Sequence, residues 1–229
     1  LSKINLPIAQ AMADYAEHAT VGDVLKSQEG FAVVSNVDNG VVTWKGSLQY
    51  LEANKGYMLK RLAADETYFS YPLYFDESRY SGEQSMKAPR AASVNTATTM
   101  NIVARVEDFD IEANDRLVVF RGMDRMADVT ADEEQLYYLN IGSDDKSNDK
   151  FTFALERDGE IIAMTRSNIA YVPNSLVGTP NEPTAIKFNS LDEMQEDGLW
   201  YTIDGIKVGE RQPAKSGMYI HNGKAVMIK

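Results

Sequence analysis

The sequence predicts a mainly β protein: a small β-rich domain with one helix, then an antiparallel β-sandwich, then a C-terminal β-hairpin tail. Three observations carry this. Short apolar runs recur along most of the chain, several of them alternating apolar with polar residues. Tight-turn signals separate them, among them Asp38-Asn39-Gly40, Asp158-Gly159, Asp204-Gly205 and Asn222-Gly223. Helical periodicity stands out in one place, residues 7–17.

Taken in order, residues 7–17 (PIAQAMADYAE) place Ile8, Met12 and Tyr15 or Ala16 on one face, with Pro7 suited to a first helical turn. After Gly22 the reading changes to strands: Val24-Leu25, Phe31-Ala32-Val33-Val34, Val41-Val42-Thr43-Trp44, Tyr50-Leu51, Tyr57-Met58-Leu59 and Tyr68-Phe69-Ser70-Tyr71. This gives a first domain over residues 1–76. Residues 77–95 are polar, rich in Ser and Ala and without apolar periodicity, as expected of a linker or long loop.

Residues 96–190 read as the sandwich. Met100, Ile102, Ala104 and Val106 alternate on one strand, and Leu117-Val118-Val119-Phe120 is a short apolar run. The runs 137–141 (YYLNI), 151–155 (FTFAL) and 161–164 (IIAM) follow, the last two flanking Asp158-Gly159. Several short strands and no convincing helix fit two packed sheets. Residues 175–183 (SLVGTPNEP), with their Gly and Pro, are expected to end the run. In residues 199–229, Asp204-Gly205 and Asn222-Gly223 separate short strands into a four-stranded meander. A meander so small needs a surface to pack on, unless it is an appended tag.

Charge and composition remove several functions. With 23 Lys and Arg against 34 Asp and Glu, the 229-residue chain carries −11, which opposes a nucleic-acid surface built on clustered cations. There is no Cys for a disulfide or thiolate zinc site. No apolar run approaches the ~18 residues of a membrane-spanning helix, so a helical span is not expected. The chain opens at Leu1 with neither Met nor a signal-peptide pattern, as expected of a mature or truncated form.

Specific words in the sequence carry a resemblance. Residues 23–32 (DVLKSQEGFA), 44–48 (WKGSL) and 54–60 (NKGYMLK) occur in the order of a repeated module found in Bacteroidetes surface proteins. Residues 114–122 (NDRLVVFRG), 137–141, 151–155 and 175–183 look like the sandwich module that precedes the tail in such exported proteins. Many relatives are expected to carry a Cys-Arg-Gly-type turn after the strand ending near Phe120. This chain has Met123-Asp124-Arg125-Met126 there. The tail, from LWYTIDGIKV through SGMYI and NGK to VMIK, resembles a short sorting domain of the type IX secretion pathway. It also reads as an ordinary pair of hairpins closing a domain. The resemblance implies a secreted or outer-surface protein acting in adhesion or ligand binding, with no catalytic residues to carry over. The secretion machinery would be a partner through the tail.

Residue patterns able to carry chemistry are few. The only histidines, His18 and His221, fall at a helix end and in a tail hairpin, away from any nucleophile elbow. P-loop, dinucleotide and HExxH patterns are lacking, and nothing demands a cofactor. Two acidic loops could offer oxygen ligands to calcium: Glu107, Asp110 and Asp115, and Asp144, Asp145 and Asp149. Neither has EF-hand order, and both also read as solvated acidic surface. Trp44, Tyr57 and Tyr71 could stack on sugar faces, or serve as core and cross-strand partners. Glycans and surface proteins are therefore the expected partners. The rivals are an accessory carbohydrate-binding part of a larger glycan-degrading enzyme and a structural spacer with an export tail.

Overall fold

A computed structural model describes residues 6–52, 55–68, 98–143, 148–190, 198–203 and 206–228. The linker expected at 77–95 and the strand around Phe69 to Tyr71 lie outside them.

In chain order, β1 is Leu6–Pro7, α1 Ile8–Ala11, followed by a 3-10 segment Ala13–His18, β2 Val24–Lys26, β3 Phe31–Asp38, β4 Val41–Gly46, β5 Tyr50–Leu51 and β6 Met58–Lys60. Next come β7 Thr99–Glu107, β8 Arg116–Arg121, β9 Asp124–Thr130, β10 Tyr137–Gly142, β11 Lys150–Arg157 and β12 Glu160–Ala170. The chain continues with β13 Leu176–Val177, β14 Thr184–Lys187, β15 Asn189–Ser190, β16 Trp200–Thr202, β17 Lys207–Gly209, β18 Gly217–His221 and β19 Lys224–Ile228. The fold is mainly β, as the sequence predicts.

The expected helix is shorter and tighter than its periodicity suggests. Pro7 is held in a two-residue ladder opposite Tyr50. One α turn follows, and at Met12 (φ −104°, ψ 16°) the backbone passes into 3-10 geometry. No side chain caps either segment, and so short a helix has little stability of its own. Burial holds it: Ile8, Ala11, Met12 and Tyr15 pack against Leu25, Ala32 and Leu51.

Four sheets stack as layers, because strands β2, β7, β8 and β10, and much of β3 and β11, bury both faces. The N-terminal sheet (β4-β3-β2-β6) turns Leu25 and Ala32 toward the helical segment, and Val24, Phe31 and Val33 toward the next layer. That layer is built on β7, with β10 along one edge and β13 and β14 along the other. Its Val103 and Tyr138, with Leu136 just before β10, meet the N-terminal sheet, while Ile102, Ala104, Tyr137 and Leu139 face the opposite way. There they meet Leu117, Val119, Phe151 and Phe153 of the five-stranded sheet β15-β12-β11-β8-β9. The outer face of that sheet, Val118, Phe120, Ala154 and Met164, is covered by Ile203, Met218 and Ala225 of the tail. The tail sheet runs β17-β16-β18-β19. It is not the sequential meander expected, because β18 pairs with β16 on the side opposite β17, but it has the surface that so small a sheet needs.

Two features depart from a plain antiparallel reading. Residues 124–130 are strand β9, which takes in Asp124 to Met126 of the stretch expected to form a turn, the chain reversing instead at Gly122-Met123. Residues 176–177 and 184–187, expected to lie in or beyond a loop ending the sandwich, pair with β7 in parallel. Gly178 permits the second arrangement. Its φ is +70°, and an added Cβ would press on the Val103 carbonyl and lie 2.8 Å from the Thr184 nitrogen. Gly178→Ala is therefore expected to cost at least about 2 kcal/mol, combining left-handed strain with backbone contact. Chemical denaturation checks it, and an unchanged midpoint would show that the strand edge shifts freely.

Candidate functional site

The seam between the N-terminal sheet and the β7 layer is held by apolar contact and by polar clamps. Phe31 meets Tyr138 edge to face, ring centroids 5.9 Å apart. Asn101 donates to Asn140 Oδ1 at 2.9 Å, and Asn140 donates to the Gln28 carbonyl at 3.0 Å. Asn181 donates to the Ser35 carbonyl at 2.8 Å. The first domain and the sandwich thus share one buried surface.

At one end of this seam lies a cleft of about 360 Å3, lined by Val24, Lys26, Met58, Lys60, Asn101 and Asn174, with Ser175 and Leu176 beside them. A second hollow of about 260 Å3 continues it over Lys26 toward Thr99 and Tyr57. The strand register explains why two cations meet here. Val24 lies opposite Lys60 and Lys26 opposite Met58, so both lysines belong to the sheet face that carries Val24.

Lys26 is 6% exposed. Its Nζ donates to Asn174 Oδ1 at 2.8 Å, the Thr99 carbonyl at 3.2 Å and Thr99 Oγ1 at 3.4 Å. Lys60 Nζ donates to the Asn174 carbonyl at 3.4 Å. Asn174 reaches both because its backbone is left-handed (φ 58°) and is fixed by its own N–H to the Thr99 carbonyl, 2.9 Å. Among the described residues, the hydrogen-bond acceptors of Lys26 and Lys60 are all neutral. Burial, and then the charge of Lys60, hold the Lys26 ammonium below the usual lysine range.

The residues singled out from the sequence are dispersed. Glu107 lies 3.6 Å from Lys187 Nζ, and Asp110 is exposed, its carbonyl accepting from Arg157 at 3.1 Å. Asp115 is buried, and both its oxygens accept from Arg157, at 2.8 and 2.7 Å. One of them also accepts the Glu112 N–H. Burial pushes the Asp115 carboxyl up, but the Arg157 and Glu112 hydrogen bonds outweigh it and hold the group below the usual carboxylate range. Asp149 is exposed, and Asp144 and Asp145 lie outside the described residues. Among the described residues, no three acidic or histidine side chains gather as a metal group.

Trp44 and Tyr57 pack, half-buried, against the cluster under the helical segment, Trp44 with its ring centroid 6.3 Å from that of Tyr15. The Tyr57 hydroxyl accepts the Glu52 N–H at 2.7 Å. Tyr71 lies outside the described residues. His18 ends the 3-10 segment, and His221 stacks on Trp200 in the tail at 4.3 Å. Sequence reasoning missed Lys26 and Asn174. The available signal was alternation, which puts Lys26 on the same strand face as the buried Val24.

No family model, curated protein or solved structure matches the chain.

Proposed function

We propose that the protein is a non-catalytic ligand-binding module of a secreted or surface-displayed protein, acting in adhesion or in capture of a glycan. The observation that supports this reading is the seam cleft. Its described polar lining consists of amides, hydroxyls and two ammonium groups beside apolar Val24, Met58 and Leu176. Such groups hold a ligand by hydrogen bonds, charge and contact area. The −11 charge favours small ligands over polyanions. The exported setting rests on the resemblance of residues 23–60 and of the tail, and the secretion machinery is proposed as the partner that reads the tail.

A glycan-array screen of the whole chain, with and without calcium, tests this. Binding to a defined sugar class is the expected result, and loss of binding without calcium would implicate the acidic loops at 107–115 and 144–149. Silence under both conditions overturns the ligand-binding reading in favour of a spacer with an export tail.

A further inference from the structure

The seam cleft unites three features. It has the scale of a small-molecule site, about 300–1,000 Å3, at the junction of two parts of the chain. It carries two lysines on one sheet face, converging on a single residue: Asn174 accepts from Lys26 through its side chain and from Lys60 through its carbonyl. It sets amide and hydroxyl groups beside apolar surface, with Asn101, Asn174 and Ser175 lining it together with Val24, Met58 and Leu176.

A cation removed from water and given only neutral acceptors is costly to bury, and the cost falls when an anion arrives beside it. Lys26 is such a cation, and Lys60, exposed at the mouth, adds a second positive charge. All three Lys26 donors are engaged, so an arriving anion would take over the longest of these bonds, the one to Thr99 Oγ1 at 3.4 Å. Lys26 is fixed by Thr99 and Asn174, and Asn174 is fixed by its own backbone bond. Little side-chain freedom is therefore lost on binding.

We propose that this cleft binds the carboxylate of an acidic sugar, with the charge held between Lys26 and Lys60. The sugar hydroxyls would meet Asn101, Asn174 and Ser175, and its C–H face would lie on Met58 and Leu176. Two lysines within a strongly acidic chain suit a singly charged group better than a phosphate backbone, which needs many cations. The assignment rests on the ligand-binding reading above and narrows it to one site and one ligand class.

The test is a calorimetric titration of the full chain with a galacturonate oligosaccharide, with its methyl ester and with inorganic phosphate. The acid form is expected to bind and the ester to bind at least about ten-fold more weakly, the scale of a lost charged hydrogen bond. Lys60→Gln, at an exposed position, should weaken the acid form about five-fold and leave the ester unchanged. Lys26→Met should abolish the preference for the acid. Should that variant unfold, Lys60→Gln alone still decides. Equal binding of acid and ester, or indifference to Lys60→Gln, overturns the proposal. Phosphate binding as tightly as the saccharide overturns the sugar assignment. If neutral glycans bind on the array while the galacturonate does not, this site fails and the broader reading stands.

Discussion

Removal of residues 199–229 is expected to leave a chain that unfolds at much lower temperature, binds hydrophobic dyes and associates in solution. The tail covers Val118, Phe120, Ala154 and Met164, whose exposures are 0, 4, 0 and 1%. Uncovering the three larger of these side chains forfeits about 5 kcal/mol at about 1.5–3 kcal/mol each. That rivals the whole stability of an ordinary domain, about 5–15 kcal/mol. The exposed apolar face would also drive association. An appended tag would behave differently: its loss would leave the unfolding temperature where it was. Scanning calorimetry of the truncated chain beside the full one separates the cases. If the tail also serves export, a secretion assay on this deletion would confound lost targeting with lost folding. A milder change such as Ile203→Ala, at a buried contact with the sandwich, calibrates the folding part.

How much of this was legible in the sequence depends on the distance over which each feature is encoded. The strands of the sandwich and the tail hairpins follow from local alternation and from turn pairs, and the left-handed backbones at Asn39, Asp158 and Asn222 sit where those pairs predict. The layering was half visible. Runs such as Phe31-Ala32-Val33-Val34 and Leu117-Val118-Val119-Phe120 lack polar alternation because both faces are buried. Which layer meets which face is a long-range fact that no local pattern records. Strand β9 escaped because its buried residues, Ala127 and Val129, are small and its other positions are polar or only half-buried. The parallel edge strands β13 and β14 escaped because Gly178 and Pro180 look like loop chemistry, and because β7, whose paired residues lie 75 and 80 positions earlier, supplies their partner. The helix came out shortened because apolar spacing does not distinguish an α turn from a 3-10 segment over so few residues. The seam cleft was the least legible, since it depends on Lys26 and Asn174 meeting across 148 positions of sequence.

Asp115 shows how a residue that looks free to bind a cation is already bound to one inside the protein. Arg157, at the end of β11, holds it with two hydrogen bonds, pairs with Glu112 Oε1 at 2.8 Å and donates to the Asp110 carbonyl. One guanidinium thereby fastens the loop between β7 and β8 to the five-stranded sheet. Arg157→Met would leave the 1%-exposed carboxylate without its counter-charge. The expected cost is about 3 kcal/mol, at the low end for a broken buried pair because Arg157 itself is 29% exposed. The pH dependence distinguishes this from a packing defect. In the native protein the Asp115 pKa lies below its unfolded value, about 3.9, so its contribution is complete above that pH and is lost as pH falls through the folded value. Without Arg157 the same burial raises the pKa, the carboxylate then opposes folding at neutral pH, and protonation relieves it. The stability gap between native protein and variant should therefore be widest near pH 7, begin to narrow as pH falls through the raised pKa of the variant, and go on narrowing below about pH 4 as the native contribution is lost. Urea denaturation of both proteins across that range measures the gap directly. A gap that stays constant would mean that Arg157 matters for its aliphatic stem and not for the charge it brings to Asp115.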